Sequence, residues 1–377
     1  MRVQFVLAGL HRIRRGAEVA FESIAHQLAL DGLDDITVVG SGEPLPGRAY
    51  NYARVPSIGR ERFENWPSMP FFRNDSMYEE FTFATALMMS KSLPDVDVSV
   101  TCGYPYTNWA LRGRSRGKKR PVQVFVTQNG DWPALGRQRE YRFFSCDGLV
   151  CTNPTYWQRN HQRWFSTLIP NGIDTASFHP GAKNRARLGL PETAPIVLMV
   201  SALIPTKRVT EGIRAVASIP DAILVLAGDG PLRDEVDRLG AVVLPGRYIR
   251  RNFQHNQMAD LYRSADAFLH TTIGESFGNV YIEALSCGLP VVAHDEAVTR
   301  WIFEDHAILV DTQSPTEIVE ALGKALTVSP DRRAAGAAFA LERYDWRIVA
   351  TRYRQFFDEI IRRRGTDPVK LSGVRAA

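Results

Sequence analysis

Short apolar runs alternate along the chain with segments whose apolar residues recur at helical spacing. Val3–Ala8, Val122–Thr127 and Ile196–Val200 are largely apolar runs, and runs of this length fit strands buried on both faces. Ala17–Leu30 and Trp346–Arg363 instead place their apolar residues along one side of a helix. The alternation predicts an α/β protein in which parallel sheets lie between layers of helices.

Two stretches depart from this clear alternation. Gly42 to Asp75 is rich in Pro, Gly and Arg and predicts a long irregular excursion of the kind that is usually functional or mobile. In the second half, the short run Val242–Leu244 predicts a strand.

The length and one loop-like stretch predict two domains. A chain of 377 residues can build two cores of ordinary size, and PNGIDTASFHPG, which begins at Pro170, has the composition of a linker. We therefore expect a first domain at residues 1–170, a second at 171–343, a helix at 344–364 and a flexible tail at 365–377.

Composition narrows the class of protein. The chain is 45% apolar and 23% charged, which is typical of soluble globular proteins. Its four cysteines show no metal-ligand spacing, so we expect reduced thiols, no metal site and a cytoplasmic location. No stretch of the chain has the apolar length needed to cross a bilayer. The apolar run at the N-terminus, MRVQFVLAGL, is too short for a signal peptide and is followed too closely by charged residues.

Positive charge is concentrated in RGRSRGKKR, residues 112–120, within a net charge of +5. A solvated loop is the favoured interpretation. Peripheral contact with the anionic inner face of a membrane, or with an anionic acceptor, is the alternative. Nucleic acid is disfavoured because no basic stripe with interleaved aromatic residues accompanies the run.

A glycine-rich turn opens a short helix within Gly274–Asp295, GESFGNVYIEALSCGLPVVAHD. Asn279 is predicted to cap a helix over Val280–Cys287, and Gly288 is predicted to end it. The backbone N–H groups of residues 278–280 would then face open space at the positive end of the helix dipole. Such a helix terminus suits a phosphate group.

Two carboxylates accompany this helix terminus. Glu275 lies in the turn, and Glu283 lies about one turn into a helix that has almost no polar face. A carboxylate in such surroundings needs hydrogen-bond donors, which sugar hydroxyls would supply. Alternatively, Glu283 reaches solvent near the helix dipole. The combination of both acids, the phosphate site and the buried strand that follows favours binding of an activated sugar.

The spacing of Glu275 and Glu283, followed by ALSCGLPVV, resembles the E-x7-E motif of family-four retaining glycosyltransferases, the glycosyl transferases group 1. The resemblance implies a GT-B fold, with two Rossmann-like doubly wound domains facing each other across a cleft. The acceptor would bind the first domain and the donor the second, and the helix at 344–364 would pack back on the first. It also implies that Glu283 holds the ribose of the donor and that Glu275 contacts the transferred sugar. Backbone contacts to the sugar or its phosphates fall on Phe277, Gly278, Asn279 and Val280.

The same resemblance assigns further donor contacts in the second domain. Lys207, after the strand Ile196–Val200, corresponds to a lysine that reaches the diphosphate, although it could be a surface lysine. The arginine that relatives often have five residues before this lysine is Ala202 here, so Arg208 or the N-terminal arginines are expected to replace it. Gly228, in LAGDGPLRDEV, allows a tight turn beside the nucleotide. After the motif, HDEAVTRW replaces a glycine-containing loop of relatives, so the wall facing the sugar is expected to differ.

In the first domain the resemblance points to two loops. Gly16, in GLHRIRRGAE, stands where relatives have a Gly-Gly pair and could let backbone approach a phosphate, with three arginines (Arg12, Arg14, Arg15) to neutralise it. A charged surface loop is an equally good interpretation. Gln128 and Asn129, in QNGDWP, stand where many relatives have a histidine that lines the acceptor side of the active site, and neither can act as a base. Asp131 nearby is interpreted as a turn residue.

The resemblance implies a retaining hexosyltransferase type of enzyme in glycan or glycoconjugate biosynthesis, with Glu275, Lys207 and Asn129 at the reacting centre. The donor would be a nucleoside diphosphate sugar, of UDP or GDP, used without metal or other cofactor. The acceptor would be a glycan, a lipid or a small molecule. A nucleotide-sugar epimerase of the same architecture and a non-catalytic sugar-nucleotide-binding protein are the alternatives. A nicotinamide-dependent oxidoreductase is disfavoured because the first strand is not followed by G-x-G-x-x-G.

Overall fold

A computed structural model describes residues 1–90, 93–114, 120–136 and 139–366. The chain divides into two compact units. The first unit contains residues 1–171 together with the chain from Trp346 onward, and the second unit contains Gly172–Asp345. Residues 367–377, which make up most of the predicted tail, lie outside the described part of the chain.

The first unit is built on a seven-stranded parallel sheet of order β3-β2-β1-β4-β5-β6-β7. Its strands are β1 (Arg2–Val6), β2 (Asp35–Gly40), β3 (Asn51–Arg54), β4 (Val98–Thr101), β5 (Val122–Val126), β6 (Gly148–Cys151) and β7 (Ser166–Leu168). The helices along this stretch are α1 (Gly16–Leu30), α2 (Asp75–Met89), α3 (Tyr106–Arg114), α4 (Trp132–Leu135) and α5 (Pro154–Asn160). The predicted excursion at 42–75 therefore contains an edge strand, β3, which pairs with β2.

The second unit repeats this plan with a six-stranded parallel sheet of order β10-β9-β8-β11-β12-β13. The strands are β8 (Ile196–Val200), β9 (Ile223–Ala227), β10 (Tyr248–Arg251), β11 (Ala267–His270), β12 (Val291–His294) and β13 (Ile308–Val310). The helices are α6 (Arg185–Leu188), α7 (Val209–Ala217), α8 (Arg233–Val243), α9 (Met258–Ser264), α10 (Asn279–Ser286), α11 (Ala297–Phe303), α12 (Pro315–Leu326) and α13 (Pro330–Tyr344).

The predicted strand at Val242–Leu244 is wrong, because these residues form the end of α8 and its cap. Val242 is 77% exposed, so its apolar side chain was no sign of a buried strand. Gly246, at φ 72°, turns the chain after the helix, and the edge strand follows at Tyr248–Arg251.

The last helix, α14 (Trp346–Thr366), belongs to the first unit and packs against α1. Its buried face contributes Val349, Tyr353, Phe357 and Ile360 to the core that β1, β2, β4 and α1 also build. Burial of these side chains removes a broad apolar surface from water, which is the main stabilising term for such a helix. The first unit is thus completed by a segment distant in sequence.

Replacing Phe357 by Ala should destabilise the first unit by about 3–5 kcal/mol, because the ring is fully buried and a cavity would remain. Its ring centroid lies 6.4 Å from that of Phe5 in β1. Ile348→Ala, on the same helix but 36% exposed, is the matched control and should cost about 1 kcal/mol or less. Urea unfolding measures both, and equal losses in the two variants would contradict the role given to the buried face.

Candidate active site

The second sheet reverses its order of connection between β8 and β11, since the chain runs outward from β8 to β10 and then returns to β11. Loops that leave the carboxyl ends of strands at such a switch point diverge, and open α/β sheets bind their ligands in the crevice between them. The loops after β8, β9 and β11 carry Lys207, Gly228 and Glu275, respectively. The topology therefore brings the predicted donor residues of three loops to one edge of the sheet.

Lys207 and Glu275 form an ion pair between the amine Nζ and the carboxylate Oε2. Their side chains are only 22% and 15% exposed, so water screens the pair less than it would at the surface. Thr271 fixes the turn that carries the lysine, because its hydroxyl donates to the carbonyl oxygens of Lys207 (3.2 Å) and Arg208 (2.7 Å). The structure thus places a cation and a carboxylate in contact at the end of β11.

The turn into α10 depends on Gly278, which adopts φ 74°. A Cβ at this position would lie 2.6 Å from the ring of Tyr281, so a larger residue would both strain the backbone and collide with the ring. Gly278 occupies the cap position and Asn279 is the first helical residue, so the prediction that Asn279 caps the helix is wrong by one residue. The helix ends at Ser286, followed by Gly288 at φ 75°.

Phe277 and Val280 direct their side chains into the core of the second unit. Phe277 is 3% exposed, and its ring makes edge contacts with Trp301 and Tyr344 at centroid distances of 6.2 and 6.0 Å. These side chains anchor the turn. Because the Phe277 side chain is buried, only its backbone is available to contact a ligand, in agreement with the predicted backbone contact.

Glu283 accepts a hydrogen bond from the hydroxyl of Tyr262, with 2.7 Å between the phenol oxygen and Oε2. Burial raises the pKa of the Glu283 carboxyl above its ordinary value, and the hydrogen bond from Tyr262 opposes that shift. Tyr262 itself is fully buried in α9. Sequence reasoning missed this partner because an aromatic residue on the apolar side of a short helix gives no signal beyond core packing.

Gly228 lets the loops after β8 and β9 touch. It has φ 155°, and a Cβ there would lie 1.9 Å from the carbonyl oxygen of Ser201. Any other residue would push the two backbones apart. The glycine therefore has a steric reason for its position, and its contact with a nucleotide stays a prediction.

Arg208 follows Lys207 in the left-handed conformation, at φ 50°. Its guanidinium Nη2 donates to the carbonyl oxygen of Thr312 at 3.2 Å, and its Nε lies 3.5 Å from Oε1 of Glu211. The side chain is therefore held within the second unit by these contacts and is only 19% exposed. Relatives often have an arginine at the position of Ala202, and the expectation that Arg208 takes over its role stays a prediction.

His270 is the last residue of β11 and interacts electrostatically with Glu275 and Lys207. No signal in the sequence pointed to it. It is 3% exposed, and its Nδ1 lies 3.1 Å from the hydroxyl oxygen of Tyr281. Burial lowers the pKa of His270 to about 4, so the ring is neutral near pH 7. The positive charge that faces Glu275 is accordingly that of Lys207 and not of the histidine.

In the first unit, Gly16 is the exposed first residue of α1, at the end of the loop after β1. Two arginines of that loop bind carboxylates within the unit. Arg15 lies 2.7 Å from Glu18, and Arg12 pairs with Glu79. Both carboxylates are at most 3% exposed. Arg12 and Arg15 therefore neutralise buried acids of their own unit, which sequence reasoning missed because Glu18 and Glu79 resemble ordinary polar helix residues.

Asn129 lies in the loop after β5, where its Nδ2 is 3.8 Å from Sγ of Cys102. Asp131 accepts hydrogen bonds from Arg159 (2.9 Å) and Asn160 (2.8 Å). Burial raises the pKa of Asp131, and Arg159 opposes the shift. These contacts agree with a structural role for Asp131, while the catalytic role of Asn129 stays a prediction.

The basic run at 112–120 is only partly described, since residues 115–119 lie outside the described chain. Arg112 donates to the carbonyl oxygen of Phe143 at 2.8 Å, and Arg120 pairs with Asp147 at 2.5 Å. These two arginines serve the protein's own contacts, and the predicted membrane contact stays a prediction. Among the helices that the structure describes, none is long and apolar enough to cross a membrane.

The raised pKa of Glu283 has a consequence for stability. A carboxyl whose pKa is higher in the folded chain stabilises the fold below about pH 4.5, the ordinary Glu value, and this contribution is lost as pH rises through the folded pKa. Glu283→Gln removes the titration, so its free energy of unfolding should rise relative to wild type between pH 4.5 and 8. Tyr262→Phe removes the hydrogen bond that opposes the shift, so its loss of stability should extend to higher pH than in wild type. Urea unfolding across this range measures both, and a Glu283→Gln profile parallel to wild type would contradict the assignment.

Comparison with known proteins identifies relatives of both units. The family model described as glycosyl transferases group 1 matches residues 181–339. D-inositol 3-phosphate glycosyltransferase of Xylanimonas cellulosilytica is 30% identical over 52% of this chain and 52% of its own length. The lipopolysaccharide core biosynthesis glycosyltransferase LpsE of Rhizobium meliloti is 26% identical over 78% of this chain and 81% of its own. The chain thus spans about half the length of the first of these relatives.

The fold extends across the whole described chain. The crystal structure of Anabaena HepE in complex with UDP and glucose superposes with a TM-score of 0.71, at 18% identity, over 95% of this chain and all of HepE. The sequence-based prediction of the fold class is confirmed. The chain therefore has the GT-B fold, and residues 181–339 match the family model of glycosyl transferases group 1.

Proposed function

We propose that this chain is a retaining glycosyltransferase that moves a sugar from a nucleoside diphosphate sugar to an acceptor hydroxyl without a metal ion. The observation that carries the proposal is the contact between Lys207 and Glu275 at the carboxyl edge of the second sheet. A cation for the diphosphate and a carboxylate for the sugar hydroxyls are the two groups that such a donor requires.

The charge on the departing diphosphate has two sources of stabilisation in this proposal. Lys207 supplies a full positive charge, and α10 directs its amino end toward the same edge, where backbone N–H groups carry partial positive charge. Fixed donors of this kind stabilise developing negative charge without reorganisation. Arg208 and the backbone turn at Gly228 complete the proposed diphosphate and nucleotide contacts.

The two carboxylates have separate tasks. Glu283, with one oxygen fixed by Tyr262, has a second oxygen to accept hydrogen bonds from the ribose hydroxyls. Glu275 accepts hydrogen bonds from the hydroxyls of the transferred sugar. These contacts hold the donor so that its anomeric carbon is presented in one orientation, which lowers the entropy cost of the reaction.

The proposed reaction breaks the bond between the anomeric carbon and the phosphate oxygen, and forms a bond from the acceptor oxygen to the same face of that carbon. The proton of the acceptor hydroxyl passes to the departing phosphate. This route needs no side-chain base, which suits a chain with Asn129 in the loop after β5 and a neutral, buried His270.

The relatives support this substrate class. HepE was crystallised with UDP and glucose, and the two sequence relatives are named D-inositol 3-phosphate glycosyltransferase and lipopolysaccharide core biosynthesis glycosyltransferase. We accordingly keep UDP or GDP as the carrier, and a glycan, a lipid or a small molecule as the acceptor.

Lys207→Ala and Glu283→Ala test the proposal. Each substitution should lower the turnover of the best nucleoside diphosphate sugar by about 100-fold, because each removes a charged side chain that is proposed to contact this substrate. Turnover is measured as hydrolysis or transfer. Lys324→Ala, an exposed lysine of α12, is the control and should match wild type. Thermal-shift screening against UDP and GDP sugars first identifies the carrier.

The products separate the alternatives. Transfer with retained anomeric configuration, read by NMR, supports the proposal. Interconversion of nucleotide sugars without acceptor would indicate an epimerase, and binding without turnover would indicate a non-catalytic protein. Full activity in both alanine variants would overturn the site assignment.

A further inference from the structure

One carboxylate connects the loop that carries Glu275 to the next helix of the second unit. Glu296, which precedes α11, accepts hydrogen bonds from the backbone N–H groups of Gly274 (Oε2, 3.1 Å) and Glu275 (Oε1, 3.2 Å). The same carboxylate accepts the N–H of Thr299 in a capping box, in which the Thr299 hydroxyl accepts the backbone N–H of Glu296 at 3.1 Å. Three backbone donors from two segments therefore converge on one side chain.

The loop needs such a restraint because its backbone is intrinsically free. Gly274 has φ 76°, and a Cβ there would meet open space, so neither a side chain nor a neighbouring wall fixes its conformation. Ile273, just before it, is 39% exposed. Hydrogen bonds from successive N–H groups to one charged acceptor are stronger than those between neutral groups, and they fix the direction in which the loop leaves β11.

The restraint acts on the carboxylate that the proposed function places against the sugar. Glu275 is held at three points: its backbone N–H by Glu296, its Oε2 by Lys207, and its Oε1 by the backbone N–H of Ser276 at 3.3 Å. Loss of the backbone contact would let the whole residue shift while leaving its side-chain chemistry intact. A displacement of about 1 Å in such a group can cost about 100-fold in rate.

We propose that Glu296 is a positioning residue that holds Glu275 in register with the sugar of the donor, an inference that rests on the proposed function. It acts through the backbone of the loop and not by contact with the reacting atoms. Glu296 lies in HDEAVTRW, the segment that begins at the end of β12. This segment replaces the glycine-containing loop of relatives, where the sequence predicts a difference in the wall that faces the sugar.

Glu296→Asp separates positioning from folding. Aspartate is a good cap for α11 and keeps the negative charge at its amino end, but it is one methylene shorter and should lose the N–H groups of Gly274 and Glu275. We expect kcat to fall about 10- to 100-fold, with an unchanged melting temperature and unchanged affinity for the nucleoside diphosphate alone. Glu304→Asp, at the other end of α11, is the matched control and should retain wild-type kcat.

Two readouts make the outcome decisive. Amide hydrogen exchange should accelerate at residues 274–275 in Glu296→Asp and stay unchanged within α11. An active wild type whose kcat and exchange rates are matched by Glu296→Asp would overturn the positioning role alone. A wild type that turns over no activated sugar would instead overturn the proposed function and, with it, this role.

Discussion

The burial of both faces of each parallel sheet is the constraint from which the arrangement of the molecule follows. Strands such as Ile196–Val200 and Ile223–Ala227 are almost wholly apolar and covered by helices on either side. These two strands carry no polar side chain, so the candidate chemistry next to them lies in the loops at the edge of the sheet. At the carboxyl edge those loops diverge where the strand order reverses, so the same constraint that builds the core also gathers Lys207, Gly228 and Glu275.

Within that edge, the acids are controlled by partners of different kinds. Glu275 faces a lysine, Glu283 faces a buried phenol, and Glu296 faces backbone N–H groups. The first pairing neutralises charge, the second leaves a desolvated carboxyl with a raised pKa, and the third fixes backbone. Three glutamates within one short stretch of chain thus have different roles, and the sequence alone could not distinguish them.

The fold was predictable because buried parallel strands are visible in the sequence as continuous apolar runs. The glycines at 228, 278 and 288 also mark turns, and each has the positive φ angle that glycine adopts most easily. The error at Val242–Leu244 arose from an apolar run at the exposed end of a helix. The partners Tyr262 and Glu296 were not predictable, because each contact joins residues from different loops or helices and depends on how these pack. The pair of Arg12 with Glu79 was not predictable for the same reason. Arg15 and Glu18 are only three residues apart, but the burial of Glu18 gave no signal in the sequence.

Those hidden pairs change the electrostatic interpretation of the first unit. The loop GLHRIRRGAE has the sequence of a cluster of free cations, yet Arg12 and Arg15 form ion pairs with buried carboxylates. A buried carboxylate without such a partner would be costly to the fold. Removing Arg15 would take away the cation that pairs with buried Glu18, whereas Glu79 would keep Arg60 at 2.9 Å. Both arginines therefore contribute to the stability of their own unit, and Arg15 is the more critical of the two. The second unit is therefore the better candidate for the proposed diphosphate contacts, because the partner of Lys207 is more accessible there and α10 begins at the same edge.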